Sequence, residues 1–469
     1  MDQTLTPLFD RQRIASRQVV DVPLAARRDR LGRVSDLLQR HSGALSAAVQ
    51  ADFGVRGERL TEIADLFLLR SMVADLRRNL ARWSAPQRVR TPLPLLPARG
   101  RIERQPLGVV GIIGPWNYPL QLTLGPAATA LAAGNRVMLK PSEVTPQTSA
   151  LLAELVARYF AADEFVVVQG GAELAAEFAA LPFDHLFFTG STAVGRKVAA
   201  AAAANLTPTT LELGGKSPCI IDPSCSNLES AALKIAHGKL LNGGQTCIAP
   251  DYLLLPRGRE TAFLQAYRAA VARLFPRIEG NPDYAAVINE RHRVRLSSLL
   301  DEARAAGARV EHVGPPEEGA STTRQMRPTL VFGAASHLRL MQEEIFGPIL
   351  PVLPCDTADE AVAHINAGAR PLALYWFGDD TAQCDSVLRR TVSGGVTVND
   401  TLLHIANDHL PFGGVGESGW GAYHGETGFL RFSHQKSVLV QSRLSLAHWL
   451  YPPYGKRFVQ MMALLRRLG

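Results

Sequence analysis

Val109-Val-Gly-Ile-Ile-Gly-Pro-Trp-Asn-Tyr-Pro119 is the stretch from which the fold of this chain is predicted most directly. The short apolar run Val109–Ile113 is typical of a buried strand. Pro115 and Pro119 then hold a loop, and a helical pattern follows through Leu120–Ala133. A strand, a loop and a helix in this order predict one repeat of a parallel α/β sheet.

The same alternation continues toward the C-terminus. Strands are predicted at Arg136–Leu139, Glu164–Val168, His185–Phe188 and Thr210–Leu213, with helices at Thr148–Tyr159 and Thr192–Ala204. A second series between Pro218 and Asn399 has predicted strands at Tyr252–Leu255, Thr329–Phe332, Ile349–Leu353 and Gly395–Val398. We therefore expect two doubly wound parallel-sheet α/β domains, joined by a glycine turn near Leu213-Gly214-Gly215.

Toward the N-terminus, apolar residues recur at three- and four-residue steps from Pro23 to Trp83, which predicts helices. The proline-rich segment Thr91–Pro97 then predicts an extended connector. Because 469 residues exceed what one hydrophobic core accommodates, several domains are expected.

The net charge of +7 is concentrated at the C-terminus. Five basic residues and no acidic residue follow Ser442, so the rest of the chain is nearly neutral. Since nucleic-acid binding needs Lys and Arg clustered on the body of a protein, the sequence argues against it. The tail itself, with an apolar helical pattern at Lys456–Leu468, is a basic amphipathic segment that would pack on the protein or lie weakly on an anionic membrane surface.

The five cysteines argue against two common roles of this residue. An odd number without any CxxC spacing favours neither a disulfide framework nor a zinc site, and no metal is expected. The sequence has no secretory signal pattern and no run of about 18 uncharged apolar residues. A cytoplasmic location is therefore expected.

Cys247 lies in Gly243-Gly244-Gln245-Thr246-Cys247, where two glycines leave little side-chain bulk near the sulfur and let the backbone approach a ligand. A lone cysteine is more often a buried apolar filler. Glu212, however, places a carboxylate at the end of an apolar strand, where burial raises its pKa toward the range of a general base. The alternative for Glu212 is a salt bridge to Lys216 or Arg196.

Three loops at predicted strand ends carry further polar groups. Asn117 presents an amide that can donate to an oxyanion, an interaction worth about 3–4 kcal/mol in a transition state, although asparagine also forms turns. Lys140 and Glu143 can bracket ribose hydroxyls or form a local ion pair on a solvated loop. Ser191 stands at a helix start, which is a seat for pyrophosphate or a simple cap, and the GxGxxG fingerprint is absent.

Seven motifs in this order resemble the aldehyde dehydrogenase superfamily over roughly residues 20–440. They are PWN at 115–117, LKPSE at 139–143, FTGST at 188–192, LELGGK at 211–216, GQTC at 244–247, EEIFGP at 343–348 and PFGGVGESG at 411–419. The resemblance implies NAD-dependent oxidation of an aldehyde to a carboxylic acid, with NADP as the alternative cofactor. It also implies a cofactor domain that is a Rossmann variant without the glycine fingerprint.

Residue by residue, the resemblance implies Cys247 as the nucleophile, Glu212 as the general base and Asn117 as the oxyanion donor. Lys140 and Glu143 would hold the adenosine ribose, Ser191 would lie near the pyrophosphate, Glu344 would hold the nicotinamide ribose and Phe346 would pack near the nicotinamide. The cofactor-binding set assigned from these motifs is Trp116, Lys140, Ser142, Glu143, Gly190, Ser191, Gly195, Glu344 and Phe346.

Within the superfamily the chain looks like class 3, on the compact N-terminus and Tyr423-His424-Gly425. The stretches PLAARRDRL, ADFG, RGRIERQPLGVVGIIGPWNYP and LPFDHLFFTGSTAVG look similar to bacterial coniferyl aldehyde dehydrogenases. An aromatic aldehyde such as coniferyl aldehyde is therefore the expected substrate. The alternatives are a medium- or long-chain fatty aldehyde, a CoA-acylating reaction and a catalytically silent binding protein.

The resemblance also divides the chain. We expect a helical N-terminus with the NAD-binding domain at 1–212, a catalytic thiol domain at 213–410, a glycine loop with an oligomerisation strand at 411–441, and the basic tail at 442–469. A homodimer is implied, with Gln435–Gln441 as the interface strand.

Overall fold

Two largely parallel sheets, each covered by helices, form the centre of the chain in a computed structural model that describes residues 5–314, 323–445 and 447–468. A third, antiparallel sheet lies beside them. The predicted α/β class with two doubly wound sheets is confirmed.

Helices occupy the N-terminal part of the chain, as its apolar periodicity predicts. Each buries one apolar stripe; in the last of them Leu69, Met72, Leu76 and Leu80 are buried. The elements are α1 (Leu5–Gln18), α2 (Leu24–Arg40), α3 (Ser42–Phe53), α4 (Glu58–Thr61), a π-helical turn (Glu62–Leu66) and α5 (Phe67–Ser84). Helix α1 was not predicted; it is bound to the body of the protein by Gln12, which donates to the carbonyl of Val137 at 2.9 Å.

Two strands and a turn follow, β1 (Gln87–Val89) and β2 (Arg99–Pro106) with a 3₁₀ turn at Leu93–Leu95 between them. The turn interrupts the connector that the prolines predict as extended. Strand β2 was not predicted, because charged side chains predominate in it, Ile102 is its one large aliphatic residue, and the strand is only half-buried.

The first large sheet contains the predicted strand Val109–Ile113. Its parallel strands are β3 (Val109–Ile113), β4 (Arg136–Lys140), β5 (Phe165–Val167), β6 (His185–Gly190) and β7 (Thr209–Leu213). They lie in the order β7-β6-β3-β4-β5, so the direction of winding reverses between β3 and β6. The crevice at such a reversal is where open α/β sheets bind ligands. The covering helices are α6 (Gln121–Ala132), α7 (Pro146–Tyr159), α8 (Ala172–Ala179) and α9 (Thr192–Ala203).

The second large sheet has the order β10-β11-β12-β9-β8-β13-β14, with β10 antiparallel at one edge. Its strands are β8 (Pro218–Ile221), β9 (Tyr252–Leu255), β10 (Arg309–His312), β11 (Thr329–Phe332), β12 (Ile349–Pro354), β13 (Ala373–Phe377) and β14 (Gly395–Val398). Its helices are α10 (Leu228–Leu240), α11 (Glu260–Leu274), α12 (Glu290–Ala305), α13 (Arg339–Gln342), α14 (Ala358–Ala367) and α15 (Thr381–Arg390). The four strands predicted here are confirmed, whereas β8, β10 and β13 were not predicted.

Two of the C-terminal segments pair with strands that lie much earlier in the chain. They are β15 (Gly419–Trp420), α16 (Gly425–Arg431), β16 (Ser433–Val440) and α17 (Lys456–Leu468). Strand β15 pairs antiparallel with β7, with Gly419 opposite Glu212. Strand β16 overlaps the strand predicted at Gln435–Gln441 and pairs antiparallel with β2 over its whole length. The domain boundaries at 212/213, 410/411 and 441/442 stay a prediction.

The tail helix α17 confirms the helical pattern at Lys456–Leu468. It contacts the 3₁₀ turn at Leu93–Leu95 and a second 3₁₀ turn at Ala447–Leu450. Phe458 and Met462 are half-buried, whereas Val459 and Leu464 are exposed. Within the described residues, no helix has the length and apolarity that crossing a membrane would require.

The two large sheets adjoin each other at the ends of their strands. The loop after the carboxyl end of β3 contains Asn117, and the loop before the amino end of β9 contains Gln245. The Asn117 side-chain amide donates to the Gln245 carbonyl at 3.1 Å. The carboxyl edge of the first sheet therefore faces the amino edge of the second, and functional side chains from both edges converge in the space between them.

Candidate active site

A cavity of about 240 Å³ lies between the two sheet edges. It brings together most of the residues that the motifs single out. Its lining includes Trp116, Asn117, Gly190, Ser191, Glu212, Cys247, Glu344 and Phe346, together with Leu122, Thr189, Gly214, His292 and Arg295. The three predicted catalytic residues thus share one cavity, although they lie up to 130 positions apart in the chain.

Four of the predicted cofactor-binding residues do not line this cavity: Lys140, Ser142, Glu143 and Gly195. Lys140 and Glu143 lie at and beyond the end of β4, the strand next to β3, so they are farther along the same sheet edge. Gly195 has a packing role, because a Cβ there would come within 2.6 Å of the Leu213 side chain. Ser142 accepts a hydrogen bond from the Val144 N–H at 3.2 Å and so stabilises the local turn.

The loop that carries Cys247 has an unusual backbone. Asn242, Gly243 and Gly244 all have positive φ angles, of 54°, 64° and 78°. A Cβ at Gly244 would lie 2.3 Å from the Gly347 carbonyl oxygen, and one at Gly243 would lie 2.8 Å from the Ala285 carbonyl oxygen. The two glycines are therefore required by close approach to the protein's own backbone.

The Cys247 thiol is half-buried, and the charged groups that act on it most strongly are carboxylates. Burial raises its pKa to about 12, and the nearby Glu344 and Glu212 add to this effect, against the backbone N–H groups of Cys247 and Ile248. The four other cysteines are buried. Cys247 is consequently the accessible thiol, and it needs assistance to lose its proton.

Glu212 lies near the end of β7, buried and only 3% exposed. Neither carboxylate oxygen has a hydrogen-bond partner among the described residues, so the alternative of a bridge to Lys216 or Arg196 is wrong. Lys216 instead pairs with Asp251 and donates to the Leu340 carbonyl at 2.9 Å. Burial therefore raises the pKa of Glu212 well above its usual value. An unpaired buried carboxylate of this kind marks a functional site.

The Asn117 amide is held in position by the loop that carries Cys247. Its Nδ2 donates one hydrogen to the Gln245 carbonyl, and the second hydrogen of the same NH₂ group is left for a ligand. The adjacent Tyr118 hydroxyl lies 2.6 Å from the Thr246 hydroxyl. The loops of Asn117 and Cys247 are thus bound directly to each other.

The part of the cavity nearest β12 contains Glu344 and Phe346. Burial raises the pKa of Glu344 to about 8, and its Oε1 has no hydrogen-bond partner among the described residues. Phe346 has a φ of 51°, which is strained for a residue other than glycine, and its ring meets Trp116 edge-on at 5.4 Å between centroids. Backbone strain of this kind is typical of ligand-binding sites.

Toward β4, Lys140 and Glu143 form the local ion pair that was the alternative to ribose binding, and ribose binding stays a prediction. The Lys140 ammonium is buried and lies 2.8 Å from the half-exposed Glu143 carboxylate. Burial opposes the ionisation of Glu143, but the hydrogen bond from Lys140 and its charge outweigh burial and lower the pKa of Glu143. Glu143 is therefore ionised at neutral pH.

Ser191 caps α9 by accepting from the Val194 N–H at 3.4 Å.

A model of the aldehyde dehydrogenase family matches residues 9–438. The chain belongs to the aldehyde dehydrogenase family. It is 47% identical over 440 residues to a probable coniferyl aldehyde dehydrogenase of Caulobacter vibrioides, covering 92% of this chain and 90% of the relative. It is 40% identical to aldehyde dehydrogenase family 3 member A2 of Pongo abelii, covering 95% and 92%. The predicted resemblance to class 3 and to coniferyl aldehyde dehydrogenases is thereby confirmed.

Solved structures of aldehyde dehydrogenases have the same fold. The substrate-bound state of Staphylococcus aureus AldH superposes with a TM-score of 0.93 at 36% identity, over 99% of this chain and all of that one. The indole-3-acetaldehyde dehydrogenase AldA of P. syringae, in complex with NAD⁺, gives 0.83 at 26% identity, over 93% and 88%. The chain is an enzyme that oxidises aldehydes with NAD or NADP.

Two titratable residues that line this cavity were not found from the sequence. His292 packs against Trp116 with ring centroids 5.2 Å apart, and Arg295 donates to the Ile345 carbonyl at 2.5 Å. Burial lowers the pKa of His292 to about 4, with help from Arg295 and Arg291, so its imidazole is neutral. Both residues lie in the first turns of α12, where the sequence shows only a run of charged side chains that resembles an exposed helix start.

The raised pKa of Cys247 predicts how the enzyme without cofactor reacts with iodoacetamide. Below the pKa of about 12, the thiolate fraction rises tenfold for each pH unit. The alkylation rate of Cys247, followed by mass spectrometry of its peptide, should therefore keep rising from about pH 7 to about pH 10. An ordinary thiol with a pKa of about 8.5 would level off in that range, and such a plateau would contradict the assignment. The peptide of buried Cys219 is the internal control.

Proposed function

We propose that the enzyme oxidises an aromatic aldehyde, such as coniferyl aldehyde, to the carboxylic acid through a covalent adduct on Cys247. The observation that carries this proposal is the unpaired, buried Glu212 in the same cavity as Cys247. A hydrolytic aldehyde dehydrogenase needs a nucleophile and a base at one carbonyl, and these two side chains supply both.

In the first step the Cys247 thiolate attacks the aldehyde carbon and forms a thiohemiacetal. The free N–H of Asn117 donates to the developing oxyanion, an interaction worth about 3–4 kcal/mol when it is made only in the transition state. The proton of the thiol passes to Glu212 or is lost under the influence of a positive charge nearby; both routes are compatible with the high pKa of the thiol.

A dinucleotide fits the remainder of the site. The unpartnered Glu344 Oε1 can accept from ribose hydroxyls, and the amino end of α9 at Ser191 offers N–H groups to a pyrophosphate. When bound, the oxidised nicotinamide would supply a hydride acceptor, and loss of hydride from the thiohemiacetal would leave a thioester on Cys247. We infer a preference for NAD over NADP, because the ionised Glu143 repels a 2′-phosphate.

In the last step Glu212 removes a proton from water, and the water attacks the thioester carbonyl. The acid leaves and the Cys247 sulfur is freed. Burial suits Glu212 to this task, because a raised pKa makes its carboxylate a stronger base. A CoA-acylating enzyme has no need of such a base, so Glu212 favours hydrolysis over that alternative.

Replacing Glu212 by Gln tests the hydrolytic role. The variant should lose about 10²–10⁴-fold in steady-state kcat, because the thioester is no longer hydrolysed with base assistance. It should still release a rapid burst of NADH, close to one per active site, measured by stopped-flow absorbance. The exposed Glu229→Gln on α10 is the matched control. Unchanged kcat in Glu212→Gln would refute the role of the base.

Substrate and cofactor can be tested together. We expect the highest kcat/KM for coniferyl aldehyde in a panel with benzaldehyde and straight-chain aldehydes, a higher value with NAD than with NADP, and no requirement for CoA. The support for the aromatic substrate is similarity to coniferyl aldehyde dehydrogenases. A strong preference for straight chains would favour the fatty-aldehyde alternative, which the likeness to family 3 member A2 keeps open. Turnover that depends on CoA would exclude hydrolysis.

We also propose that the enzyme is a homodimer and that its tail packs on the protein rather than on a membrane. Strand β16 is largely exposed along its length, as an interface strand would be in a single subunit. The contact of α17 with Leu93–Leu95 supports packing of the tail. Light scattering should give two subunits, and neither the full chain nor one ending at Ser442 should sediment with anionic vesicles. Sedimentation of the full chain alone would support the membrane alternative.

A further inference from the structure

Arg56 and Asp65 form an ion pair in the interior, next to the candidate active site. Both side chains are fully buried, and the guanidinium Nη2 lies 2.5 Å from the Asp65 Oδ2. Buried ion pairs contribute little to stability compared with well-packed apolar residues of similar size, because both charges lose their hydration. The pair therefore calls for a role other than holding the fold together.

Each member of the pair is also bonded to the loop that contains Asn117. The Arg56 Nη1 donates to the Asn117 carbonyl at 2.7 Å. The Asp65 Oδ1 accepts from the backbone N–H groups of Leu120 and Gln121 at 3.2 and 3.0 Å. The ion pair thus binds both ends of the segment 117–121, at the start of α6.

Local structure fixes the two side chains in turn. Asp65 lies in the π-helical turn Glu62–Leu66, a widened turn of a type that is frequent at functional sites. The guanidinium of Arg56 packs against two rings, 4.7 Å from the centroid of Phe53 and 5.2 Å from that of Tyr118. Its orientation is therefore determined by packing as well as by hydrogen bonds.

We propose that Arg56 and Asp65 are positioning residues that hold the Asn117 amide in line with the carbonyl attacked by Cys247. They touch neither the substrate nor the sulfur, and they act through the loop. The inference rests on the proposed function, in which Asn117 is the oxyanion donor. Asn242 donates to the same Asn117 carbonyl at 3.0 Å, so this peptide is held both from the N-terminal helical part of the chain and from the loop that carries Cys247.

Two sets of substitutions separate positioning from stability. Arg56→Lys keeps the charge but cannot bond to Asn117 and Asp65 with the geometry of a planar guanidinium. The double variant Arg56→Met/Asp65→Leu removes both charges, so it leaves no unpaired buried ion, yet it releases the loop. Arg33→Lys, in the ion pair between Arg33 of α2 and Glu164 just before β5, is the control. Each is made with Asn117 intact and with Asn117→Ala.

With Asn117 intact, we expect Arg56→Lys and the double variant to lose about 10–100-fold in kcat, as a displacement of about 1 Å in a catalytic group does. Cofactor affinity by fluorescence titration and, for the double variant, the thermal midpoint should stay near the parent values. In the Asn117→Ala background the same changes should cost less than about threefold, because the donor they position is gone.

Four outcomes would overturn the inference. Three of them concern activity: kcat is unchanged in Arg56→Lys, the loss of kcat is equal in both Asn117 backgrounds, or the double variant recovers kcat together with stability. The fourth is failure of both variants to fold, which would show that the pair is structural. Each of these leaves the proposed function standing. If Asn117→Ala itself kept full activity, the oxyanion role would fail, and this inference with it.

Discussion

The active site depends on the hydrogen bonds that join the loop after β3 to the loop before β9. Asn117 donates to the Gln245 carbonyl, and the Tyr118 and Thr246 hydroxyls lie 2.6 Å apart. These bonds bind the carboxyl edge of one sheet to the amino edge of the other. Since they are buried, losing one leaves a polar group without a partner, at a cost of about 1–3 kcal/mol. The position of Cys247 relative to Asn117 follows from these hydrogen bonds.

The electrostatics of the cavity follow from burial rather than from ion pairing. Cys247, Glu212 and Glu344 are acidic groups in one enclosed space, and the pKa of each is raised. Three negative charges in this cavity would repel one another, which favours the protonated form of each group. A positive charge or a proton acceptor that entered the cavity would favour ionisation. The charge of Arg431 acts against burial at Glu212 without outweighing it, and Lys216 is bound to Asp251 instead.

Short apolar runs between turn residues, such as Val109–Ile113 and Tyr252–Leu255, were predicted correctly, because a run of consecutive apolar side chains is itself the signal of a buried strand. Strand β2 was not predicted because it is charged and half-buried, and along its whole length it pairs with β16, which lies more than 300 residues later in the chain. Likewise the motifs indicated Cys247, Glu212 and Asn117. His292 and Arg295 look like surface residues of a helix start until α12 packs over Trp116.

The sequence by itself determined the α/β class, the family and the three candidate catalytic residues, because these depend on local patterns and on motifs of fixed order. Only the tertiary structure decided that Glu212 is unpaired, that the glycines before Cys247 are required by contacts with Gly347 and Ala285, and that Arg56 reaches the loop of Asn117. Such contacts join residues far apart in the chain, and which polar groups find partners is settled only when the two sheet edges meet.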